Sequence, residues 1–177
     1  MRIISGTHKG RRLVAPTKLP VRPTTDFAKE GLFNILRNRY HLPSISVLDL
    51  FAGTGNISYE FASRGVASIT CVDADYGCVQ YIKKTADSLG FAITTIKSDV
   101  FSYLEKSGHK ADIIFADPPY DVDLSFYEQL ATLISDNKLL TDDGVLIIEH
   151  PKHTDLSAVL GFVENRKYGS SVFSFFE

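Results

Sequence analysis

The sequence predicts an α/β fold in which a mostly parallel, seven-stranded sheet is flanked by helices. Five short apolar runs alternate with segments of helical periodicity, which is typical of strand–helix–strand units. The runs are almost continuously apolar, as expected for strands that are covered on both faces. Residues 162–168 and 171–176 alternate around Gly169 and Ser170, which predicts a terminal hairpin that is antiparallel at least in part. The five runs cover residues 45–51, 67–72, 92–96, 113–116 and 145–148.

The segments between these runs predict helices. Gly65 and Gly90 follow the first two of them, where a left-handed cap favours glycine. The helices are expected over residues 57–64, 76–89, 99–107 and 124–138.

Ahead of the sheet, residues 2–16 predict a small β-ribbon and residues 20–26 a loop. Thr25 or Asp26 is a suitable N-cap for a helix over residues 27–40. That helix carries an apolar stripe, and its basic residues are expected to point elsewhere. The stripe includes Phe27, Leu32, Phe33, Ile35, Leu36 and Tyr40, and the basic residues are Lys29, Arg37 and Arg39.

The length and composition are those of one globular domain. With 177 residues, 44% apolar and 23% charged, the chain can bury a core without disulfides or a structural metal. We expect a single domain over residues 1–177, with residues 1–26 as a basic extension and residues 27–177 as the core. No signal peptide or membrane span is indicated. The two cysteines, Cys71 and Cys78, have no metal-site spacing with the histidines, so we expect a reduced, cytoplasmic protein without metal. We also expect a monomer.

Charge is distributed unevenly along the chain. Residues 1–40 contain nine Lys/Arg and two Asp/Glu, whereas the rest carries ten and nineteen, so a net charge of -2 hides a basic end. A basic segment on an acidic body suggests a nucleic-acid contact, with Lys9, Arg11, Arg12 and Arg22 as candidates. A merely solvated basic arm is the alternative.

The first motif that indicates a ligand site lies between the first predicted strand and the helix that follows it. Asp49 is followed by Phe51-Ala52-Gly53-Thr54-Gly55, a turn whose glycines let a ligand approach the backbone. Ser58 replaces the third glycine of a dinucleotide fingerprint, so the glycines alone are weak evidence. A carboxylate before the turn suits a cofactor with an ammonium and a sulfonium and no phosphate. S-adenosylmethionine is such a cofactor.

Two further acids follow the next two strands. Asp73, with Ala74, ends the second strand about 20 residues after the turn, where a carboxylate can bind ribose hydroxyls. Asp75 is the better candidate for capping the next helix. Asp99, before Val100, could accept from an adenine amine or could equally be a helix N-cap.

The fourth strand ends in Asp117-Pro118-Pro119-Tyr120, which predicts the catalytic segment. An exocyclic base amine is a poor nucleophile because its lone pair is delocalised into the ring. A carboxylate and a backbone carbonyl can each accept one N–H and hold the amine, proline rigidifies the turn, and an aromatic ring can stack on a flipped base. A Pro-Pro turn beside a core tyrosine is the structural alternative.

Taken together, these motifs resemble the RsmD family, bacterial methyltransferases that modify the N2 amine of a guanine in 16S ribosomal RNA. The resemblance covers nearly the whole chain. Besides Asp49–Gly55 and Asp117–Tyr120, it rests on Arg2-Ile3-Ile4-Ser5-Gly6, Lys9-Gly10-Arg11-Arg12-Leu13, Arg22-Pro23-Thr24-Thr25-Asp26 and Leu32-Phe33-Asn34-Ile35-Leu36. One departure is Phe27, where relatives often carry a basic residue.

The resemblance implies a Rossmann-like class I methyltransferase fold and S-adenosylmethionine as the cofactor. It also implies that Asp49, Gly53 and Gly55 line the methionine end, Asp73 the ribose, and Asp99 the adenine. The implied partner is ribosomal RNA in the small subunit or an assembly intermediate. Two alternatives stay open at this point. One is a DNA adenine-N6 or cytosine-N4 aminomethylase, and the other is an inactive RNA-binding assembly factor with the same fold.

Overall fold

The computed structural model describes residues 1–17, 19 and 24–177. These residues contain seven strands and five α-helices, with a short 3-10 turn at Leu42–Ser44. Helices and strands alternate as far as the fifth strand, and the last two strands follow it without a helix between them. The strands are β1 Ser46–Leu50, β2 Ser68–Asp73, β3 Ile93–Lys97, β4 Ala111–Ala116, β5 Leu140–Pro151, β6 Phe162–Tyr168 and β7 Ser171–Phe176. The helices are α1 Asp26–Arg39, α2 Asn56–Ser63, α3 Tyr76–Leu89, α4 Val100–Lys106 and α5 Leu124–Asp136.

All seven strands form one sheet in the order β3-β2-β1-β4-β5-β7-β6. The first five strands are mutually parallel, and β7 pairs antiparallel with both β5 and β6. The order reverses between β1 and β4, which is where open parallel sheets bind ligands. The predicted mostly parallel sheet with a terminal hairpin is confirmed.

Side chains from the two faces of the sheet enter two separate hydrophobic clusters, because successive residues of a strand point to opposite sides. Val47 and Phe115 pack with helices α1, α2 and α3 on one face. Leu48 and Ile114 pack with α4 and α5 on the other face. The central strands are therefore buried on both sides, which explains their continuously apolar sequence.

The helix boundaries follow local capping chemistry. Thr25 Oγ1 accepts from Ala28 N at the start of α1, and Asp75 accepts from Cys78 N at the start of α3. Gly90 ends α3 in the left-handed region, with φ of 69°. Thr25 and Asp75 are thus confirmed as caps. Strand β5 extends well beyond the apolar run at 145–148, and a register shift in its pairing with β4 accommodates its polar first residues.

The predicted N-terminal β-ribbon is confirmed only as a short antiparallel turn, without a regular strand. In the described part of residues 1–17, regular pairing is limited to one antiparallel bridge between Arg2 and Arg12. Backbone hydrogen bonds from Ile3 N to Arg11 O and from Leu13 N to Met1 O hold this turn together. Its remaining partners come from helix α2, since Glu60 accepts from Ile4 N and Thr7 N bonds to Ser63 O.

Lys29 contradicts the expectation that it points away from the core. Its side chain is fully buried, and its ammonium donates to Arg2 O at 2.5 Å and to Asn56 Oδ1 at 3.0 Å. It also lies 3.5 Å from Glu60 Oε2. Lys29 shares one helix face with Leu32, three residues on, so the apolar stripe continues over a buried cation. Desolvation lowers its pKa, whereas the charge of Glu60 opposes that shift.

Candidate active site

A cavity of about 620 Å³ opens at the carboxyl ends of the parallel strands. Its size lies within the usual range for small-molecule sites. Its walls come from the turn after β1 and from residues that follow β2, β3 and β4. Of the sequence-predicted residues, it is lined by Asp49, Phe51, Ala52, Gly53, Asp73, Ala74, Asp99, Val100, Asp117, Pro118, Pro119 and Tyr120. Motifs up to 71 residues apart therefore meet at one site.

The turn after β1 has a backbone that most side chains would disfavour. Phe51, Gly53 and Gly55 all have positive φ, at 58°, 55° and 77°. A Cβ at Gly55 would come within 2.9 Å of Tyr59 Cζ. Gly55 is not itself a wall of the cavity but lets the turn pack tightly against α2. The positive φ of Phe51 is a sparsely populated conformation for a non-glycine residue, and such strain is concentrated at functional sites.

Asp49 is a buried carboxylate at the base of this turn. It is only 2% exposed, and its Oδ2 accepts from Ser58 Oγ at 2.5 Å. Burial raises the pKa of Asp49 to about 7, and the neighbouring charge of Asp73 adds to the rise. Among the described residues, no Lys or Arg forms a salt bridge with it. The cavity therefore contains a buried acid that would be stabilised in its ionised form by a cationic ligand.

Asp73 supports the turn as well as facing the cavity. Its Oδ2 accepts from Gly53 N and its Oδ1 from Asp75 N, both at 2.8 Å. Desolvation raises the pKa of the Asp73 carboxyl, which the backbone donors oppose. Both oxygens retain further lone pairs for a ligand hydroxyl, because a carboxylate offers about four acceptor sites.

Asp99 is the N-cap of α4, since its Oδ1 accepts from Ser102 N at 2.9 Å. It also lines the cavity beside Val100. Capping and a position at the cavity are thus compatible.

The Asp117–Tyr120 segment forms another part of the cavity wall. Asp117 follows β4 directly, and its backbone N donates to Leu50 O, which places it beside the end of β1. Asp117 is half-buried and Pro118 is buried. The Tyr120 hydroxyl donates to Glu149 Oε1 at 3.2 Å and lies 3.2 Å from Ser171 Oγ. Burial raises the pKa of Tyr120 to about 12, so its phenol is neutral at physiological pH.

Glu149 is a site residue that the sequence analysis missed. It lies near the end of β5, is 2% exposed, lines the cavity and accepts from Thr24 Oγ1 at 2.7 Å. Thr24 O in turn accepts from Asn56 Nδ2. Glu149 thus joins the N-terminal segment to the Tyr120 hydroxyl. The signal was present, because it is an acid at the end of a fifth apolar parallel strand.

Three of the four basic candidates lie outside the cavity. Lys9, Arg11 and Arg12 are exposed on the N-terminal turn, and Arg22 falls outside the described residues. Within the described ranges, no cluster of three or more His, Cys, Asp or Glu residues could hold a metal ion. The helices described in residues 1–17, 19 and 24–177 are too short or too polar to cross a membrane.

The fold and the strand-end cavity define a Rossmann-like methyltransferase of class I. The family model described as Conserved hypothetical protein 95 matches residues 1–177, and the chain belongs to this family, the RsmD family. It is 32% identical over 160 residues to Ribosomal RNA small subunit methyltransferase D of Escherichia coli strain K12, covering 90% of this chain and 79% of the relative. The protein of the same name from Haemophilus influenzae is 30% identical over 161 residues, covering 88% and 81%.

Solved structures agree with the observed topology. A hypothetical protein of Thermus thermophilus superposes with a TM-score of 0.85 at 28% identity, covering 100% of this chain and 99% of that one. The 16S rRNA N2 methyltransferase RsmC of Thermus thermophilus, in complex with AdoMet and guanosine, superposes with a TM-score of 0.72. It covers 90% of this chain and 45% of RsmC at 22% identity, which is evidence for the fold alone.

Proposed function

We propose that this protein transfers a methyl group from S-adenosylmethionine to the exocyclic N2 amine of a guanine in 16S ribosomal RNA. The observation that carries this proposal is one cavity lined by an Asp-Pro-Pro-Tyr turn, a glycine turn and a buried carboxylate that has no ion-pair partner among the described residues. The names of the relatives support ribosomal RNA as the substrate.

The donor set of the cavity fits this cofactor. Asp49 and the Phe51–Gly55 turn would hold the methionine end, where an ammonium compensates the buried carboxylate. Asp73 would accept from the ribose hydroxyls, and Asp99 with Val100 would border the adenine. When bound, the cofactor supplies an electrophilic methyl group on its sulfonium. A phosphate would be repelled by these acids, which argues against a nucleotide cofactor such as NAD.

The turn after β4 would position the target amine. The Asp117 carboxylate and the Pro118 carbonyl would each accept one N–H, so that the nitrogen lone pair faces the methyl group. Proline has no N–H to compete for that carbonyl. Most of the rate enhancement would come from this alignment and from electrostatics.

Tyr120 would stack on the flipped base, and the contacts of its hydroxyl would hold the ring in position. Glu149 and Ser171 both contact the Tyr120 hydroxyl, and Thr24 fixes the Glu149 carboxylate from the opposite side. Glu149 is thus proposed as a positioning residue that acts through Tyr120. The prolines and the aromatic ring then form a rigid surface against which the base is placed.

The exposed basic residues Lys9, Arg11 and Arg12, together with Arg22, are proposed to contact RNA phosphates. In this proposal residues 1–26 are an RNA-binding extension of a catalytic core formed by residues 27–177. The protein would act as a monomer in the cytoplasm, on the small subunit or its assembly intermediate.

Methyl transfer with labelled cofactor tests the substrate. Unmodified small subunits or their naked RNA should accept label, duplex DNA should not, and mass mapping of the RNA should find N2-methylguanine. Label on DNA alone would favour a DNA adenine or cytosine aminomethylase. RNA binding without transfer to any of these acceptors would favour an inactive assembly factor.

Replacing Asp117 tests the mechanism. Asp117→Ala should lower kcat by about 100- to 1000-fold, the usual effect of losing one group that stabilises the transition state, with cofactor affinity near normal. Asp121→Ala is the control, since Asp121 is an exposed acid four residues further on. Near-wild-type turnover in the Asp117 variant would contradict the proposed positioning of the amine.

A further inference from the structure

Phe27 is the most exposed large aromatic side chain of the described residues, at 67%. It follows the N-cap of α1 by two residues, in a helix whose other bulky apolar residues are mostly buried. An aromatic ring left in solvent at this point contributes little to the core. Its position relative to the active site and to the basic extension indicates another role.

The Phe27 ring is held in place from below. Tyr168 contacts it edge-on, with ring centroids 5.7 Å apart and planes inclined by 74°. Tyr168 is itself seated against α1 at Gly31, where a Cβ would lie 2.1 Å from Tyr168 Cε1. It also packs against Phe173, 5.8 Å away. Any side chain at Gly31 would displace this support, so the pair is a built feature of the surface.

This aromatic pair lies at the rim of the cavity. Thr25, two residues before Phe27, lines the cavity, and so does Ser171, which pairs with Tyr168 in the β6–β7 hairpin. Ser171 is also the residue that meets the Tyr120 hydroxyl. Phe27 therefore stands beside the end of the cavity assigned to the target base.

Positive charge borders the same rim. Arg2 Nε pairs with Asp26, the residue before Phe27, at 2.9 Å, and both side chains are about half exposed. Arg12 is bridged to Arg2 through the backbone and is exposed as well. An exposed ring near exposed arginines is the combination that binds single-stranded nucleic acids, with stacking for the base and cations for the phosphates.

We propose that Phe27, supported by Tyr168, stacks on an unpaired RNA base adjacent to the target nucleotide, while Arg2 and Arg12 face the neighbouring phosphates. This inference rests on the proposed function, because it takes RNA as the substrate. It adds a second aromatic contact outside the catalytic cavity. The substrate would accordingly be recognised as a single-stranded or opened segment with at least two unstacked bases.

The absence of tryptophan from the chain allows a direct test. Phe27→Trp introduces a single indole, whose emission a stacked base quenches. Titration with unmodified 16S ribosomal RNA should at least halve the emission. Leu160→Trp is the matched control, since Leu160 is 61% exposed and lies outside the active-site cavity. Equal emission changes in the two variants would overturn the proposal. A change with protein concentration instead of RNA would do the same, by indicating contact between copies of the chain.

Turnover provides a second test. Phe27→Ala should raise KM for the RNA about 5- to 150-fold, the effect of losing one base–aromatic stack, with kcat and cofactor affinity unchanged. Phe27→Tyr should restore KM, whereas Phe27→Leu should not, because leucine keeps apolar bulk but lacks a π face. Rescue by leucine, or an unchanged KM in the alanine variant, would overturn stacking. The melting temperatures should agree, since Phe27 is exposed.

The two tests separate this inference from the proposed function. Wild-type methyl transfer to small-subunit RNA with no effect of Phe27→Ala would contradict the stacking alone. RNA-dependent quenching of Phe27→Trp without methyl transfer by the wild type would support the RNA surface and contradict the proposed reaction.

Discussion

Two buried carboxylates at helix α2, Glu60 and Asp49, differ in whether a cation pairs with them. Glu60 lies within the helix and is completely buried, yet it accepts from Ile4 N and Ser5 N and pairs with Arg64 at 2.8 Å and Lys29 at 3.5 Å. Asp49 lies across from the same helix and is almost as buried. It accepts from Ser58, and none of the described cations pairs with it.

This difference distinguishes a structural charge from a functional one. A buried charge is costly unless it is paired and hydrogen-bonded, and Glu60 meets both conditions within the protein. Asp49 lacks a cationic partner among the described residues, and the cost of burying its charge raises its pKa to about 7. Because Asp49 lines the cavity, the missing positive charge can come from a ligand. Glu60 holds the N-terminal turn in place, whereas Asp49 is arranged for the cofactor.

The largest expected effect comes from removing a cation that pairs with Glu60. Lys29→Met should lower the free energy of unfolding by about 3–5 kcal/mol, because it removes one partner of a buried ion pair. Denaturant unfolding at pH 7 measures this. Lys83→Met, at an exposed lysine of α3, should change stability by less than about 0.5 kcal/mol. A loss below about 1 kcal/mol for Lys29→Met would mean that Arg64 alone compensates Glu60.

Asp73 is intermediate between the two acids, since it accepts backbone N–H groups but also faces the cavity. Asp73→Ala should weaken S-adenosylmethionine binding by about 1–3 kcal/mol, because ribose hydroxyls and Gly53 N lose an acceptor. Calorimetry with the purified variant would measure the change, and Asp87→Ala, on the exposed side of α3, provides the control. Unchanged affinity would remove Asp73 from the proposed ribose site.

Because Asp49 titrates near neutral pH, the affinity for the cofactor should depend on pH. Cofactor affinity should rise about tenfold between pH 5.5 and 7, as Asp49 ionises while the cofactor's amino group remains protonated. Asp49→Asn should bind more weakly and lose this rise. A rise that persists in Asp49→Asn would assign the titration to another acid, of which Asp73 is the nearest candidate.

In the ligand-free protein, the contribution of Asp49 to stability changes with pH in the opposite direction to the cofactor affinity. The pKa of Asp49 is higher in the folded state than in the unfolded one, so folding takes up a proton between about pH 4 and pH 7. The contribution of Asp49 to stability therefore falls as the pH rises through this window. Asp49→Asn should remove that fall, so its stability relative to wild type should increase with pH. A pH-independent difference in unfolding free energy would contradict the assignment.

The smallest effect on stability is expected at the exposed charges. Replacing Lys9, Arg11 and Arg12 together by alanine should leave the melting temperature and cofactor affinity almost unchanged, since exposed charges contribute little to stability. It should flatten the dependence of log RNA affinity on log salt by about two to three units. Replacing the exposed lysines 83, 106 and 110 is the matched control. An unchanged salt slope in the first variant would mean that the basic turn is merely solvated.

Much of the fold was predictable because the strands are buried on both faces. Helix α3 has the predicted bounds, and strands β1 to β4 begin or end within two residues of their apolar runs. The N-terminal ribbon is shorter than predicted because the turn takes hydrogen bonds from α2 as well as from its own backbone. Hydrogen bonds between residues so far apart in the chain leave no local pattern in the sequence. The predicted orientation of Lys29 was wrong for a related reason, since its hydrogen-bond partners lie up to 31 residues away.

The candidate site was predictable where one motif supplies both the turn and the side chain. Asp49, Asp73 and Asp117 each follow or end a strand, and parallel strands bring these positions to one edge. The roles of Thr24 and Glu149 depend on a contact across 125 residues, which spacing alone does not reveal. Through Glu149, the Thr24 side chain is connected to the Tyr120 hydroxyl.

The position of β7 has a consequence for the order in which the protein is made. This strand is synthesised after β5 and β6, yet it lies inside the sheet, between them. Until it emerges, the β5 edge has unpaired backbone groups that can template wrong pairing. The cavity is also incomplete, because Ser171 forms part of its wall. A growing chain therefore acquires this part of the cavity wall only after β5 and β6 have been synthesised, and a truncation before residue 171 would lose both the pairing of β7 with β5 and the contact to Tyr120.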